Sequence, residues 1–257
     1  MVGPFDDYVE NLLYRRLLSR LRTSLRKAPN ADLSNLRAQR RRARQLSAPL
    51  QELIHIGNNR LSLPRIGSST FARPVGTDWS WRPQGWRAAL PLRGLAPARN
   101  KAMLGSEMTL FHDCPDDEIS LRQDRNRRER DLAPFGVTLE VFGFQGTYLS
   151  LVVDLPQTAC TGLRRHHLFR LAAMVEAEVP VTMLARLNIK HGANTAQNLQ
   201  TVPLEGPDAF VEFDLAYEEI NENRVERIWV DLIFENPRMN RITLHDLTFC
   251  RYPRAAL

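Results

Sequence analysis

The stretch from Val225 to Phe249 constrains the fold most, because two strand-like runs follow each other with only an Asn236-Pro237 turn between them. In the first run, apolar residues alternate with mostly polar ones, which is the period of a strand with one buried face. The apolar positions are Ile228, Val230, Leu232 and Phe234, and the positions between include Glu226, Trp229 and Asp231. The stretch therefore predicts a sheet domain.

Comparable runs predict eight or nine short strands between residues 107 and 250, with no helical periodicity between them. Because parallel sheets need such crossover helices, we expect a mainly β protein, an antiparallel jelly-roll β-sandwich. The runs Val137–Phe144 and Thr147–Asp154, separated by Gln145-Gly146, predict a β-hairpin. A phase change in the last run predicts a bulge at His245-Asp246.

The N-terminal part has a different pattern and predicts an α-helical extension. A helix is expected over residues 5–27, with acidic residues near its start, basic residues at its end and Pro29 as a stop. A second helix is expected to begin after Asn30 or Asp32 and to end near Pro49. We therefore divide the chain into a basic helical arm (1–56), a Pro/Gly/Trp-rich connector packing on the sandwich (57–106) and the sandwich (107–257).

Three tryptophans of the connector, Trp79, Trp81 and Trp86, lie within eight positions. Tryptophan has a large apolar surface and one hydrogen-bond donor, the indole N–H. Such a cluster therefore either covers one end of a core or forms a flat surface on which a ligand stacks. Trp79 and Trp81 also alternate with polar residues as in a short strand. Of the two roles, sealing the core is favoured.

Charge is distributed unevenly, with 19 basic against 6 acidic residues up to residue 101 and a mildly acidic remainder. A basic helix is usually a solvated surface, but it also suits an anionic membrane or an acidic partner. Membrane contact would use Arg15, Arg16, Arg20 and Arg22. Nucleic acid is not expected, because no binding motif accompanies the charge.

The first thirty residues contain no continuous apolar run, so neither a signal peptide nor a spanning helix is expected. We therefore expect a cytoplasmic protein that can lie at the inner membrane. Cys114, Cys160 and Cys250 are far apart, which indicates reduced, buried thiols rather than disulfides or a zinc site. No cofactor is expected.

Signals for catalysis and metal binding are weak. The acidic loop Asp113–Glu118 could hold a hard cation, but its spacing matches no calcium loop and suits a polar turn. No nucleophile elbow is found. A less favoured hypothesis is a glycoside-active enzyme, with Glu212/Asp214 or Asp231/Glu235 as its paired carboxylates. A non-catalytic role is favoured.

A binding face is better supported, because several polar and aromatic residues take positions opposite the inferred core. An aromatic ring beside fixed donors and acceptors suits a sugar, which offers a flat apolar face and hydroxyl groups. The predicted ligand-binding residues are Trp229, Asp231, Arg186, Asn188 and Asp214. The alternatives are a face that docks another protein and a Trp229 covered by the N-terminal segment.

Four segments carry a resemblance to a known family: LAPFGVTLEVFGFQGTYLSLVVDLP, ARLNIKHGANTAQN, VEFDLAY and WVDLIFENPRMNRITLHDLTFCRYPRA. They resemble an uncharacterised domain-of-unknown-function family of Rhodobacter-type alphaproteobacteria over roughly residues 70–256. The closing ITLHDLTF pattern is similar to the last strands of galactose-binding-like jelly rolls and carbohydrate-binding modules. The first resemblance implies no activity, and the second implies sugar binding.

Overall fold

A computed structural model describes residues 4–61, 71–116, 118–204 and 209–254, without the side chains of residues 4–12, 48, 55 and 58–61. The chain divides into two compact units, Met1–Gly57 and Asn58–Leu257. The first unit is helical and the second carries the strands. The predicted three-part division of the chain stays a prediction.

Two long helices form the N-terminal unit, α1 (Pro4–Lys27) and α2 (Leu33–Leu61). The predicted start of the second helix is confirmed, because the Asp32 carboxylate accepts hydrogen bonds from the Ser34 hydroxyl and, at 3.0 Å, from Asn35 N. The bond from Ser34 is the main cause that lowers the pKa of Asp32.

The predicted end of α2 near Pro49 is wrong, because Pro49 lies inside the helix. Proline removes one backbone donor and usually kinks or stops a helix. The apolar positions Leu50, Leu53 and Ile54 continue the stripe of the preceding turns. The helical periodicity of these residues therefore indicates the true extent of α2 better than the proline does.

Thirteen strands, two short α-helices and two 3-10 helices (Leu215–Tyr217 and Glu222–Arg224) are assigned in the described part of the second unit. The strands are β1 (Trp79–Trp81), β2 (Gly94–Leu95), β3 (Ala102–Leu104), β4 (Met108–His112), β5 (Ile119–Arg125), β6 (Phe135–Val141), β7 (Leu149–Asp154), β8 (His167–Ala177), β9 (Thr182–His191), β10 (Asn194–Val202), β11 (Ala209–Asp214), β12 (Val225–Glu235) and β13 (Asn240–Pro253). The short helices are α3 (Gln84–Arg87) and α4 (Gln157–Cys160). Three strands of the Pro/Gly/Trp-rich segment thus belong to the sandwich.

The strands form two antiparallel sheets. Sheet A has the order β11-β8-β13-β6-β5-β2, with β1 also paired to β13, and sheet B has the order β10-β9-β12-β7-β4-β3. Consecutive strands often take the same position in opposite sheets; β12, for example, is third in sheet B and β13 is third in sheet A. The chain therefore crosses repeatedly from one sheet to the other. The predicted antiparallel jelly-roll β-sandwich is confirmed.

The predicted hairpin is wrong, although both of its strands exist. β6 belongs to sheet A and β7 to sheet B, so the connection between them crosses from one layer to the other. The Asp113 carboxylate supports this crossing by accepting hydrogen bonds from Thr147 N at 2.7 Å and Tyr148 N at 3.2 Å. A glycine-containing turn between alternating runs therefore does not distinguish a hairpin from a crossing.

The core lies between the sheets, where Phe169, Phe213 and Phe249 are completely buried. The tryptophan cluster seals this core: Trp86 is completely buried and donates through Nε1 to Leu244 O at 2.8 Å. The Trp79 ring lies 5.7 Å from that of Phe169. All three cysteines are free and buried, and the register shift after Leu244 confirms the predicted bulge.

Candidate functional site

The outer face of sheet B brings four of the five predicted ligand-binding residues together. In the β9–β12 ladder, Trp229 is the direct partner of Asn188, and Asp231 is the direct partner of Arg186. Direct partners in an antiparallel pair project to the same side of the sheet. The two pairs therefore form adjacent rows on one surface, whose side chains alternate with the core residues of the same strands.

A continuous hydrogen-bond network joins the polar members of these rows. Arg186 Nε donates to Asp231 Oδ2 at 2.8 Å, and Asn188 Nδ2 donates to the same oxygen at 3.2 Å. Gln197 of β10 extends the network by donating to Asn188 Oδ1 at 3.0 Å. Asn188 is 1% exposed and Asp231 4%, so burial and these bonds hold both side chains in one orientation.

Sequence reasoning missed Gln197, because β10 has almost no apolar alternation and most of its residues are exposed. Its direct partner in the ladder is Asn188. The only sequence signal is its place in a polar run immediately after β9. Such a run is equally typical of a loop.

The Trp229 indole is half-buried at one end of this network. The Arg227 guanidinium lies over the indole, 4.9 Å from the ring centroid, and Arg227 Nε donates to Asp154 Oδ1 at 2.8 Å. Asp154 is the direct partner of Trp229 on β7. The indole therefore lies against an Arg227–Asp154 ion pair, whose Arg227 side chain is 56% exposed.

Several polar atoms of the face have no hydrogen-bond partner among the described residues. They are Trp229 Nε1, Arg186 Nη1, Asp231 Oδ1 and Gln197 Oε1. Two of these atoms donate and two accept. The same network that positions the side chains therefore leaves both kinds of group for a ligand.

The row that contains Arg186 and Asp231 crosses sheet B from edge to edge. Leu199 of β10 is the direct partner of Arg186, Val152 of β7 is the partner of Asp231, and Met103 of β3 completes the row through Thr109. Leu199 is 53% exposed and Met103 is 55% exposed. This row is therefore polar in its centre and apolar at both ends.

Asp214, the fifth predicted residue, does not join this face. It lies on β11 in sheet A, where it accepts a hydrogen bond from Ala216 N at 3.0 Å and pairs with Arg254 at 3.2 Å. The alternation of β11 resembles that of β9 and β12, but the pairing puts β11 in the other layer. The prediction that Asp214 shares one site with Trp229 is therefore wrong, because the two residues lie in different sheets.

The acidic loop acts as a structural support where it is described. Besides the bonds of Asp113, Glu118 Oε2 accepts a hydrogen bond from Gly143 N at 2.8 Å. Asp117 lies outside the described residues. Among those that are described, no group of three or more His, Cys, Asp or Glu residues is arranged to hold a metal ion.

A separate cleft of about 490 Å³ opens where β9 meets β10. Its lining includes Arg165, His191, Glu219 and Arg224. Arg165 is partly engaged, since its guanidinium donates to Ala216 O at 2.9 Å. The cleft is polar and differs from the outer face of sheet B, which carries the aromatic ring.

The fold and this face define a jelly-roll β-sandwich protein with a helical N-terminal unit. The family of unknown function DUF6478 matches the chain over residues 1–257, and the chain belongs to this family. The predicted membership in a family of unknown function is thus confirmed. No curated protein sequence matches the chain significantly.

Solved structures with a similar arrangement include two carbohydrate-binding modules. They are the family 11 module of the cellulosomal cellulase Lic26A-Cel5E of Clostridium thermocellum (7% identity, 58% of this chain and 91% of that chain, TM-score 0.36) and the CBM22-1 xylan-binding domain of Paenibacillus barcinonensis Xyn10C (7% identity, 72% and 100%, TM-score 0.37). The enzymatically active domain of bacteriophage CBA120 tailspike protein 4 is also similar (10% identity, TM-score 0.40), with 63% of this chain spanning 22% of that one. With TM-scores below 0.5, these similarities carry no functional weight.

Proposed function

We propose that the outer face of sheet B is a carbohydrate-binding site centred on Trp229 and Asp231. One observation carries the proposal: the Trp229 indole lies on the same sheet face as a hydrogen-bonded polar network whose members Asn188 and Asp231 are buried. A pyranose ring presents an apolar face suited to an aromatic ring, and its hydroxyl groups both donate and accept hydrogen bonds. The unpartnered atoms of the site offer the complementary groups.

The order of the site before binding matters for affinity. Asn188 and Asp231 are held by hydrogen bonds from neighbouring strands, so a ligand does not have to immobilise them. The Arg227 side chain is 56% exposed, pairs with Asp154 and lies over the indole. We expect it to move aside or to cover the far edge of a bound sugar ring.

The direct test is a glycan-panel binding assay with the full-length chain and its Trp229→Ala variant. We expect saturable binding to one class of sugar and a loss of roughly tenfold or more in affinity for the variant, as for an aromatic anchor at a binding site. Phe210→Ala is the matched control. Phe210 is an exposed aromatic residue of sheet A with the Arg170 guanidinium 3.7 Å from its ring centroid.

The control separates a site from a general effect of aromatic truncation. Binding that is lost in Trp229→Ala and kept in Phe210→Ala supports the proposal. Binding lost equally in both variants, or no binding across a broad panel, contradicts it.

A protein partner docked on the same face is the second candidate, favoured by the exposed Leu199 and Met103 at its two edges. Exposed apolar side chains on one surface can mark the contact area of a partner that covers them. The variants Leu199→Asp and Met103→Asp address this candidate. Both would abolish capture of a protein partner while leaving the binding of a small sugar at Trp229 unchanged.

A further inference from the structure

The two long helices have amphipathic surfaces that nothing in the sandwich face explains. In α1, the exposed fractions are 61% for Leu13, 44% for Leu17 and 72% for Leu25. In α2, they are 52% for Leu50 and 65% for Leu53. Large apolar side chains at this exposure, repeated along two helices, indicate a surface that another phase or molecule covers.

The apolar residues of α1 form one continuous stripe. At 3.6 residues per turn, the six large apolar residues after residue 12 fall within an arc of about 140°. These residues are Leu13, Tyr14, Leu17, Leu18, Leu21 and Leu25. The opposite arc holds the basic residues Arg15, Arg16, Arg20, Arg22, Arg26 and Lys27. The two arcs do not overlap.

The second helix repeats the arrangement. Its large apolar side chains from Leu36 to Ile54 fall within an arc of about 100°, calculated in the same way. They are Leu36, Leu46, Leu50, Leu53 and Ile54, and the basic residues outside this arc are Arg37, Arg40, Arg41, Arg42 and Arg44. Both helices therefore combine a leucine-rich stripe with an arginine-rich surface.

We propose that α1 and α2 bind flat on an anionic lipid surface. In this position the leucine stripe enters the boundary between head groups and acyl chains, and the arginine side chains extend to the lipid phosphates. Charge complementarity selects this occupant, because residues 11–46 carry eleven basic residues and a single acidic one, Asp32. Within the described residues, no helix is long and apolar enough to cross a bilayer.

Two other occupants fit these observations less well. A second copy of the chain would bring two arginine-rich surfaces together without acidic partners, which like-charge repulsion disfavours. Nucleic acid would satisfy the arginines but would leave Leu13, Leu17 and Leu25 in water. Of these partners, only a lipid surface can contact both arcs, because its charged layer binds the arginines and the apolar layer below it accepts the leucines.

The test is co-sedimentation of the full-length chain with vesicles of phosphatidylcholine alone and of phosphatidylcholine mixed with phosphatidylglycerol. We expect binding to the mixed vesicles only, weakened by added salt. The variant with Arg15, Arg16, Arg20 and Arg22 all changed to Gln should bind two to three orders of magnitude more weakly, taking about fivefold for each basic residue. The same four residues changed to Lys form the matched control, which keeps the charge and should keep the binding.

A second variant, Leu17→Gln with Leu25→Gln, tests the apolar stripe, and we expect it to lose vesicle binding although every arginine is retained. Equal binding to both vesicle types, or vesicle binding that survives the four Gln substitutions, would overturn the proposal. So would an absence of vesicle binding together with self-association in light scattering, which would assign the stripe to a second copy. Tight binding to duplex DNA that the leucine variant retains would assign the arginines to nucleic acid.

Discussion

Arg186 and Asp231 face each other directly across the β9–β12 ladder, with Arg186 Nε 2.8 Å from Asp231 Oδ2. The Asp231 side chain is 5% exposed and the Arg186 side chain 40%, so the carboxylate depends on its partners while the guanidinium still reaches solvent. A second guanidinium nitrogen and Asn188 Nδ2 contact the same oxygen. The other carboxylate oxygen has no hydrogen-bond partner among the described residues.

The first prediction concerns the strength of this pair. In a double-mutant cycle with Arg186→Ala and Asp231→Ala, we expect a coupling of about 1–3 kcal/mol in the free energy of unfolding, because the carboxylate is buried. Urea denaturation of the four proteins measures it. The exposed Lys190–Glu226 pair on the same sheet is the control and should couple by less than about 1 kcal/mol. A coupling no larger than that of the control would contradict the assigned role.

The second prediction concerns Arg251, which is 4% exposed and ties the segment before β1 to β13. Its guanidinium donates to Asp78 Oδ2 at 2.9 Å and to the carbonyl oxygens of Ala159 at 2.9 Å and Thr161 at 3.0 Å. Arg251→Ala should lower the free energy of unfolding by about 2–4 kcal/mol, since it leaves the two carbonyl oxygens unpaired. Urea denaturation of Arg241→Ala, which loses only an exposed ion pair, is the comparison. Similar losses for both variants would contradict the prediction.

The third prediction concerns His167 and the pH dependence of stability. Burial is the main cause that lowers the pKa of His167, and its Nδ1 accepts a hydrogen bond from Arg164 N at 3.0 Å, which requires the neutral ring. The unfolded chain therefore binds a proton more readily than the folded one. The stability contributed by the neutral ring is present above a pH of about 6.5, the ordinary histidine value, and is lost as the pH falls below it.

Unfolding by urea at several pH values between neutrality and mild acid measures this effect. We expect the His167→Asn variant, which keeps an acceptor in a similar place, to show a shallower decline in stability toward acid. An unchanged or steeper decline in the variant would show that another group causes the pH dependence.

The fourth prediction concerns Gly136, which lies in β6 opposite the bulge of β13. A Cβ atom at this position would lie 3.0 Å from Leu244 O and 2.9 Å from Asn126 Oδ1. Gly136→Ala should therefore destabilise the sandwich by about 1–3 kcal/mol, as expected for overpacking against backbone. Gly57→Ala, where a Cβ would have no neighbour within 4 Å, is the matched control and should not lower the thermal midpoint. Equal midpoints for the two variants would contradict the close approach.

The strands were largely predictable from sequence, because alternation along a strand such as β12 is a local property. Which strands become neighbours is not local. The grouping of Trp229 and Asp231 with Arg186 depends on the pairing of β9 with β12, and no pattern within either strand specifies it. Asp214 shows the same limit, since its strand has a similar alternation but belongs to the other sheet.

Two features were hidden for other physical reasons. β10 is an edge strand in which most residues are exposed, so it lacks the apolar period that reveals a strand, and Gln197 was missed with it. The crossing between β6 and β7 carries the same turn residues as a hairpin. Its difference lies in the side-chain support from Asp113 and Glu118, which are distant in sequence.

The central claim is that a sugar binds at Trp229, and the indole N–H signals of the four tryptophans test it most directly. Trp79 Nε1 donates to Thr158 Oγ1 at 3.1 Å and Trp86 Nε1 to Leu244 O, whereas Trp229 Nε1 has no partner among the described residues. The Trp229 signal is assigned as the one that is missing from the ¹H–¹⁵N NMR spectrum of the Trp229→Phe variant. When the protein is titrated with the sugar class found on the panel, this signal should shift in a saturable way, while the Trp86 signal stays in place. A titration that shifts the signals of Trp79 or Trp86 and leaves that of Trp229 unchanged would contradict the claim.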